Sequence, residues 1–285
     1  MTDTYPPKEP IWCAGCGHFG VQAALADVMR SMTIPPEEVL ILAGIGCSGT
    51  IQNNLGTYGY HALHGRVLPT ATGAALADPG LTVIAAGGDG DGYAIGVGHL
   101  VHTMRRNPNL VYLLMNNITY GLTKGQVSPT APPDETAGSL DGILLGLSIP
   151  SSSFLARGFV RHPEQLRRLF HLALEHARGG AGFGFVEVLS PCVTYQDTYP
   201  LWDSMVVDLD EDPAHDPGDR AGTFASCLGH AEAGRIPIGL ILEEARQAPA
   251  AGPAPAHAAI EGLGAEYQRI AGEYVIEGGS AGPAD

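Results

Sequence analysis

The stretch Leu81-Thr82-Val83-Ile84-Ala85-Ala86-Gly87-Gly88-Asp89-Gly90-Asp91-Gly92, with Leu110-Val111-Tyr112-Leu113-Leu114-Met115-Asn116-Asn117 further on, decides the fold. Both segments open with a short unbroken apolar run, as expected of strands buried on both faces of a parallel sheet. Residues Ala94–Arg105 lie between them as a helix candidate, so the unit reads strand, helix, strand. Working outward, Val39–Ala43 is a similar run ending in Gly44-Ile45-Gly46-Cys47, and Phe183–Leu189 ends in Ser190-Pro191-Cys192. Phe19–Arg30 and Pro163–Arg178 are further helices; in the latter Leu166, Leu169, Phe170, Ala173, Leu174 and Ala177 recur at helical spacing. The predicted fold class is α/β, a parallel sheet with helices on both faces. All four runs end in unusual residues, at the sheet edge where open α/β sheets bind ligands.

Composition narrows the function. The chain has 285 residues, 45% hydrophobic and 16% charged, which excludes a disordered scaffold and allows a full core. Fifteen Lys+Arg against thirty Asp+Glu give a formal charge of -15, against nucleic acid or an anionic membrane as the main partner. The N-terminal residues lack a basic segment followed by an apolar core, and no apolar run approaches the ~20 residues of a membrane span, so a cytoplasmic location is expected. Residues 1–246 read as the α/β domain with its N-terminal cysteine segment. Residues 247–285 read as an Ala/Pro/Gly-rich extension, with a linker over 247–257 and a short helix over Ala258–Ile276.

In a reducing compartment the five cysteines read as metal ligands, redox centres or core filler. Cys13-Ala14-Gly15-Cys16 puts two thiols on one turn, a spacing shared by zinc sites, iron–sulfur clusters and thioredoxin-like pairs. No strand precedes it to seat a redox pair, and no second CxxC or HxxxH pair completes a zinc site. Cys47 and Cys192 remain, each just past a strand. With the turn they suit a [4Fe–4S] cube held by four thiolates, although the spacing alone equally fits two buried core thiols. Cys227 sits on no motif and reads as core.

In Gly88-Asp89-Gly90-Asp91-Gly92 the glycines let a phosphate approach the backbone at a helix N-terminus, but carboxylates there would repel it. Mg2+ removes that conflict. Asp89 and Asn117, ending successive strands, would supply side-chain oxygens and Thr119 a carbonyl. The bland reading is a glycine turn with solvated aspartates. Gly44-Ile45-Gly46-Cys47-Ser48-Gly49 also matches a dinucleotide fingerprint, but no acidic residue follows near positions 64 to 69, and Thr50–Tyr60 makes a poor crossover helix.

Taken together, Gly88-Asp89-Gly90-Asp91-Gly92 with Asn116-Asn117 resembles the thiamine diphosphate motif. Trp12-Cys13-Ala14-Gly15-Cys16-Gly17-His18, Gly44-Ile45-Gly46-Cys47-Ser48, Leu63-His64-Gly65-Arg66 and Tyr120-Gly121-Leu122-Thr123-Lys124-Gly125-Gln126 extend the likeness. Over residues 10 to 245 the chain resembles the β subunit of the 2-oxoacid:ferredoxin oxidoreductases. The resemblance implies the thiamine diphosphate-binding fold, with Cys13, Cys16, Cys47 and Cys192 holding a [4Fe–4S] cluster and Asp89, Asn117 and Thr119 holding Mg2+. Ile45, Gly46, Cys47, Ser48, His64, Gly90, Asp91, Gly121 and Leu122 would line the cofactor.

It further implies CoA-dependent oxidative decarboxylation of a 2-oxoacid, in an active site shared with an α subunit and with electrons passing to ferredoxin. The acidic chain gives no global steering toward ferredoxins, which are often acidic too, so docking needs a local basic patch or the other subunit. Lys124, beside the cofactor by resemblance, would pair with a distal carboxylate and favour 2-oxoglutarate over pyruvate; its bland reading is a surface lysine. Thr50 stands where some relatives place another lysine, which weakens that preference. His64 would donate to a phosphate or to developing charge, or else is a packed histidine. Two other classes stay open from the residues: a metal-cluster electron-transfer or structural subunit, and a non-oxidative thiamine-dependent lyase or synthase.

Overall fold

Alternation along the apolar runs sets the layers of the molecule. Val111, Leu113 and Met115 enter one hydrophobic core, while Leu110, Tyr112 and Leu114 enter a second on the opposite face of the sheet. Val83 and Ala85 likewise join the second core and Ile84 and Ala86 the first. Each fully buried side chain of this size contributes roughly 1.5–3 kcal/mol, so covering both faces is favoured over leaving either wet.

The computed structural model describes Tyr5, residues 9–132 and 138–244, Arg246, Ala248 and Arg269. In chain order the strands are β1 (Val39–Ala43), β2 (Tyr58–His61), β3 (Thr82–Gly88), β4 (Val111–Asn116), β5 (Thr119–Tyr120), β6 (Gln126–Val127), β7 (Phe154–Phe159), β8 (Gly184–Leu189), β9 (Val206–Asp208) and β10 (Ile236–Glu243). The α-helices are α1 (His18–Ser31), α2 (Val67–Ala77), α3 (Val97–Arg106), α4 (Gly142–Leu147), α5 (Pro163–Arg178), α6 (Tyr199–Met205) and α7 (Arg220–Glu232). The main sheet runs β2-β1-β3-β4-β8-β7-β10-β9. Helices α1 and α5 cover the first core, and α2, α3, α4 and α7 the second.

The α/β class is borne out with one qualification. In the main sheet β2, β1, β3, β4, β8 and β7 are mutually parallel, but β10 runs antiparallel to β7 and carries β9 alongside it. β4 is the central member: Gly88 of β3 aligns with Met115, and Asn116 with Leu189 of β8. The four strand ends singled out from sequence therefore open on one edge. Helix α5 has the bounds its periodicity predicts. Helix α3 begins later than expected because Gly90–Ile95 is wound as a wide π-helical turn, and Asn107 closes it in the left-handed region at φ 51°. The segment after β1 forms a short 3-10 turn, Ser48–Asn53, and not the long crossover helix of a dinucleotide fold.

Cys227 lies in the second core, 2% exposed. Among the described residues no helix is long and apolar enough to cross a membrane. Those up to Ala248 lie within one unit, Met1–Ala250. The linker and terminal helix expected beyond residue 246 lie outside the described residues, apart from Ala248 and Arg269.

Candidate cofactor and metal site

A cavity of about 450 Å³ opens at the C-terminal edge of β1, β3 and β4. Its wall carries every residue expected to line the cofactor: Ile45, Gly46, Cys47, Ser48, His64, Gly90, Asp91, Gly121 and Leu122, joined by Asp89, Asn117 and Thr119. Lys124 is not on that wall; it is exposed, at φ 72°, in the turn that links β5 to β6. The backbone packs too tightly here for side chains. A Cβ on Gly90 would lie 2.2 Å from the Tyr120 ring, whose hydroxyl donates to the Gly90 carbonyl at 3.2 Å.

The two carboxylates of the loop do different work. Asp89 is 1% exposed, and its Oδ2 accepts hydrogen bonds from Ser128 Oγ and from Thr130 Oγ1 at 2.6 Å. Burial pushes its pKa up, against the pull of those donors. Asp91 instead binds protein: its Oδ1 accepts from the backbone N–H of Ile45 (3.0 Å) and of Gly65 (2.8 Å) and meets His64 Nδ1 at 2.8 Å. Asn117 Oδ1 accepts from Thr119 N–H at 3.2 Å, across Ile118 at φ 53°. A β-branched residue in the left-handed region costs on the order of 1–3 kcal/mol, strain of a kind that clusters at functional sites.

The sulfur side lies next to this cavity. A Cβ on Gly121 would fall 3.3 Å from Cys47 Sγ and 3.8 Å from Cys192 Sγ, so both thiols flank one glycine. The Cys13–Cys16 turn is tied to them through the backbone. Gly17 N–H donates to Pro191 O at 3.0 Å, where a Cβ would come within 2.7 Å of the Ser190 carbonyl carbon. Trp12 Nε1 donates to Cys47 O at 2.8 Å. Burial, reinforced by Cys192, Cys47 and Cys13, pushes the Cys16 thiol up to about 11, and burial with Cys192 and Cys13 raises Cys47. All the cysteines among the described residues are free.

The sequence profile described as thiamine pyrophosphate enzyme, C-terminal TPP binding domain, matches residues 43–188. The β subunit of 2-oxoacid:ferredoxin oxidoreductase from Saccharolobus solfataricus is 41% identical over 219 residues, covering 72% of this chain and 70% of that one. The chain belongs to this β-subunit family. The 2-oxoglutarate synthase subunit KorB of Methanocaldococcus jannaschii is 37% identical over 199 residues, 67% of this chain and 72% of that one. A solved structure of 2-oxoglutarate:ferredoxin oxidoreductase from Magnetococcus marinus, with 2-oxoglutarate, coenzyme A and succinyl-CoA bound, has a TM-score of 0.77 at 31% identity, covering 95% of this chain and 94% of that one. The oxidoreductase reading and the thiamine diphosphate-binding domain are thereby established.

In this β subunit several site residues have no role assigned by the motif reading. His18 lies on the cavity wall, buried, with Nδ1 2.7 Å from Ser190 Oγ, and burial lowers its pKa to about 4, which keeps it neutral. Ser128 and Thr130 carry no motif, yet they grip Asp89. Behind Thr130, Asn116 Oδ1 accepts its hydroxyl at 3.0 Å, and Asn116 Nδ2 donates to Glu187 at 2.8 Å. Glu187 pairs with Arg157 at 2.6 Å, and Arg157 reaches Asp141 at 2.8 Å. Their only sequence signals are a charged residue inside each of two apolar strands, Arg157 in β7 and Glu187 in β8. Among the described residues no three His, Cys, Asp or Glu side chains converge on one metal ion. The expected Mg2+ donors, one carboxylate, one amide and one carbonyl, are a different set, made of the hard oxygens that ion takes.

Proposed function

We propose that this β subunit carries out CoA-dependent oxidative decarboxylation of a 2-oxoacid, 2-oxoglutarate in preference to pyruvate, using thiamine diphosphate, Mg2+ and a [4Fe–4S] cluster. One observation carries the reading: Cys47 lines the cavity wall and, with Cys192, flanks Gly121. An electron acceptor held there adjoins the thiamine site.

The donor chemistry supports both metal groups. A buried carboxylate whose ionisation is opposed by burial gains from a bound cation, and Asp89 is such a group. Burial, helped by the neighbouring thiols, raises the pKa of Cys16 and of Cys47, so both gain as thiolates from bound iron. Thiamine diphosphate when bound supplies the electron sink for loss of CO2 and the cluster a one-electron exit. The chain's residues do the rest. Asp89, Asn117 and Thr119 would hold Mg2+ against the diphosphate, and the glycine turns at 44–46 and 88–90 admit it to the backbone. Lys124, beside the wall on an exposed turn, is the cation for a distal carboxylate. The names of the relatives support 2-oxoglutarate as substrate, an α subunit to complete the site and ferredoxin as acceptor; a cytoplasmic location completes the reading.

The test is anaerobic purification with the α subunit and analysis of iron, sulfide and thiamine diphosphate on one sample. A spectrum is recorded before and after 2-oxoglutarate and coenzyme A. Both cofactors with substrate-dependent bleaching are expected. Thiamine without iron would indicate a lyase, and metal without thiamine an electron-transfer or structural subunit.

A further inference from the structure

Asp91 lies in the wide turn after β3, and its side chain is 0% exposed. Every donor that it meets lands on one oxygen. Oδ1 takes the N–H groups of Ile45 and Gly65 and contacts His64 Nδ1, so it ties the loop after β1 to the loop before α2 and to the imidazole at once. Oδ2 is walled in by Gly44 and Gly87, where a Cβ would fall 2.0 and 3.1 Å away. The carboxylate is therefore fixed in rotation, with Oδ1 turned to His64.

That geometry decides which nitrogen of His64 carries hydrogen. Oδ1 already acts as acceptor for two backbone N–H groups, so in its contact with Nδ1 the hydrogen belongs to the ring. A neutral imidazole has a single N–H, and with Nδ1 protonated Nε2 keeps its lone pair. The ring lines the cavity, its side chain is 40% exposed, and Nε2 makes no hydrogen bond among the described residues.

We propose that Asp91 is a positioning residue that holds His64 in the Nδ1–H tautomer and presents Nε2 to the cavity as an acceptor. The function assigned to His64 changes accordingly. A neutral His64 cannot donate to a phosphate; it takes a proton from an S–H or O–H group of a bound molecule. The proton then resides on Nε2, no electrons change hands, and the imidazolium stays paired with Asp91. The relevance of this to catalysis rests on the cavity being the cofactor and substrate site; the tautomer does not.

The test is 15N NMR of the full chain labelled at histidine, at a pH about two units above the ordinary histidine pKa of ~6.5. The His64 signals are those lost in His64→Gln. Expected are a pyrrole-type Nδ1 and a pyridine-type Nε2. The reverse pattern, or a ring protonated at both nitrogens, overturns the proposal using the wild-type chain alone. Asp91→Asn keeps an acceptor oxygen and should preserve the tautomer, whereas Asp91→Leu should release it toward Nε2–H. An unchanged tautomer in a folded Asp91→Leu chain would also overturn it. Adding thiamine diphosphate and Mg2+ tests the cavity reading separately: Nε2 unmoved, in a chain with the expected tautomer, refutes the site and leaves Asp91's role standing.

Discussion

The oxygen half of the active edge and its sulfur half are built on opposite principles. Around Asp89 the chain supplies its own partners, with Ser128, Thr130, Asn116, Glu187, Arg157 and Asp141 linked by hydrogen bonds and ion pairs and mostly buried. Around Cys47 the backbone is held just as firmly, yet the thiols do not satisfy one another: burial first, and then neighbouring thiols, raise the pKa of Cys16 and of Cys47. The carboxylate of the oxygen half is thus held by protein donors, whereas Cys16 and Cys47 of the sulfur half would ionise readily only with a cation beside them. Ligand removal should therefore affect the two halves unequally.

The largest expected effect falls on the sulfur half. Cys192→Ala removes one of the four proposed cluster ligands and should abolish bound iron and sulfide while leaving thiamine diphosphate binding largely intact. Metal and cofactor analysis on the same sample checks it, and equal loss of both would mean that the halves are not separable. Next comes Arg157→Ala, which strands Glu187 in the core without its cation. Breaking a buried pair of this kind costs about 3–5 kcal/mol, so a lowered denaturant midpoint is expected. A midpoint within error of the wild type would show that the ion pairs do not brace the oxygen half.

Much of this contrast was legible in the sequence, and the illegible part has a physical pattern. Asp89, Asn117, Cys47 and Cys192 stand out because each lies at or just past the end of an apolar strand run, and Cys13 and Cys16 because of their CxxC spacing. Helix α5 was found because a long amphipathic period leaves little choice. Strands β2, β7, β9 and β10 were not assigned. β2 is wholly exposed and has no apolar run, while β7 and β10 are interrupted by Arg157 and by Pro237 and Gly239. Ser128, Thr130 and Glu187 were missed for a related reason. They act through partners distant in sequence, and nothing about a serine in a loop reveals the carboxylate it will meet.

A third prediction turns on the sign of a titration. Burial raises the Asp89 pKa above its unfolded value, so the native metal-free chain binds that proton more tightly than the unfolded chain does. This contribution to stability is present at acid pH, below the unfolded value, and is lost as pH rises through the native one. At pH 7 without Mg2+, Asp89→Asn should thus melt higher than the wild type, because a neutral amide accepts the Ser128 and Thr130 hydrogen bonds without a buried charge. With Mg2+ and thiamine diphosphate the order should reverse, since only the carboxylate attracts the ion. Melting curves at both conditions decide it, and an Asp89→Asn chain less stable in both would show that Asp89 is already compensated by protein groups.

The smallest effect sharpens the comparison most. Thr130→Val deletes one hydroxyl that donates to Asp89 and contacts Asn116, a side-chain bridge between Asp89 and the Glu187–Arg157 pair. A hydrogen bond to a charged group is worth about 1.5–3 kcal/mol, so Mg2+-dependent cofactor binding should weaken at least about tenfold, which titration calorimetry can measure. If the bridge acts by orienting Asp89, the loss should shrink in the Asp89→Asn background, where no carboxylate remains to orient; additive losses would assign Thr130 to the framework alone. A coupled result would mean that the oxygen half owes its readiness to a buried chain running from Asp141 to the metal ligand. The sulfur half, whose backbone is already held, should then gain stability and not geometry from added iron.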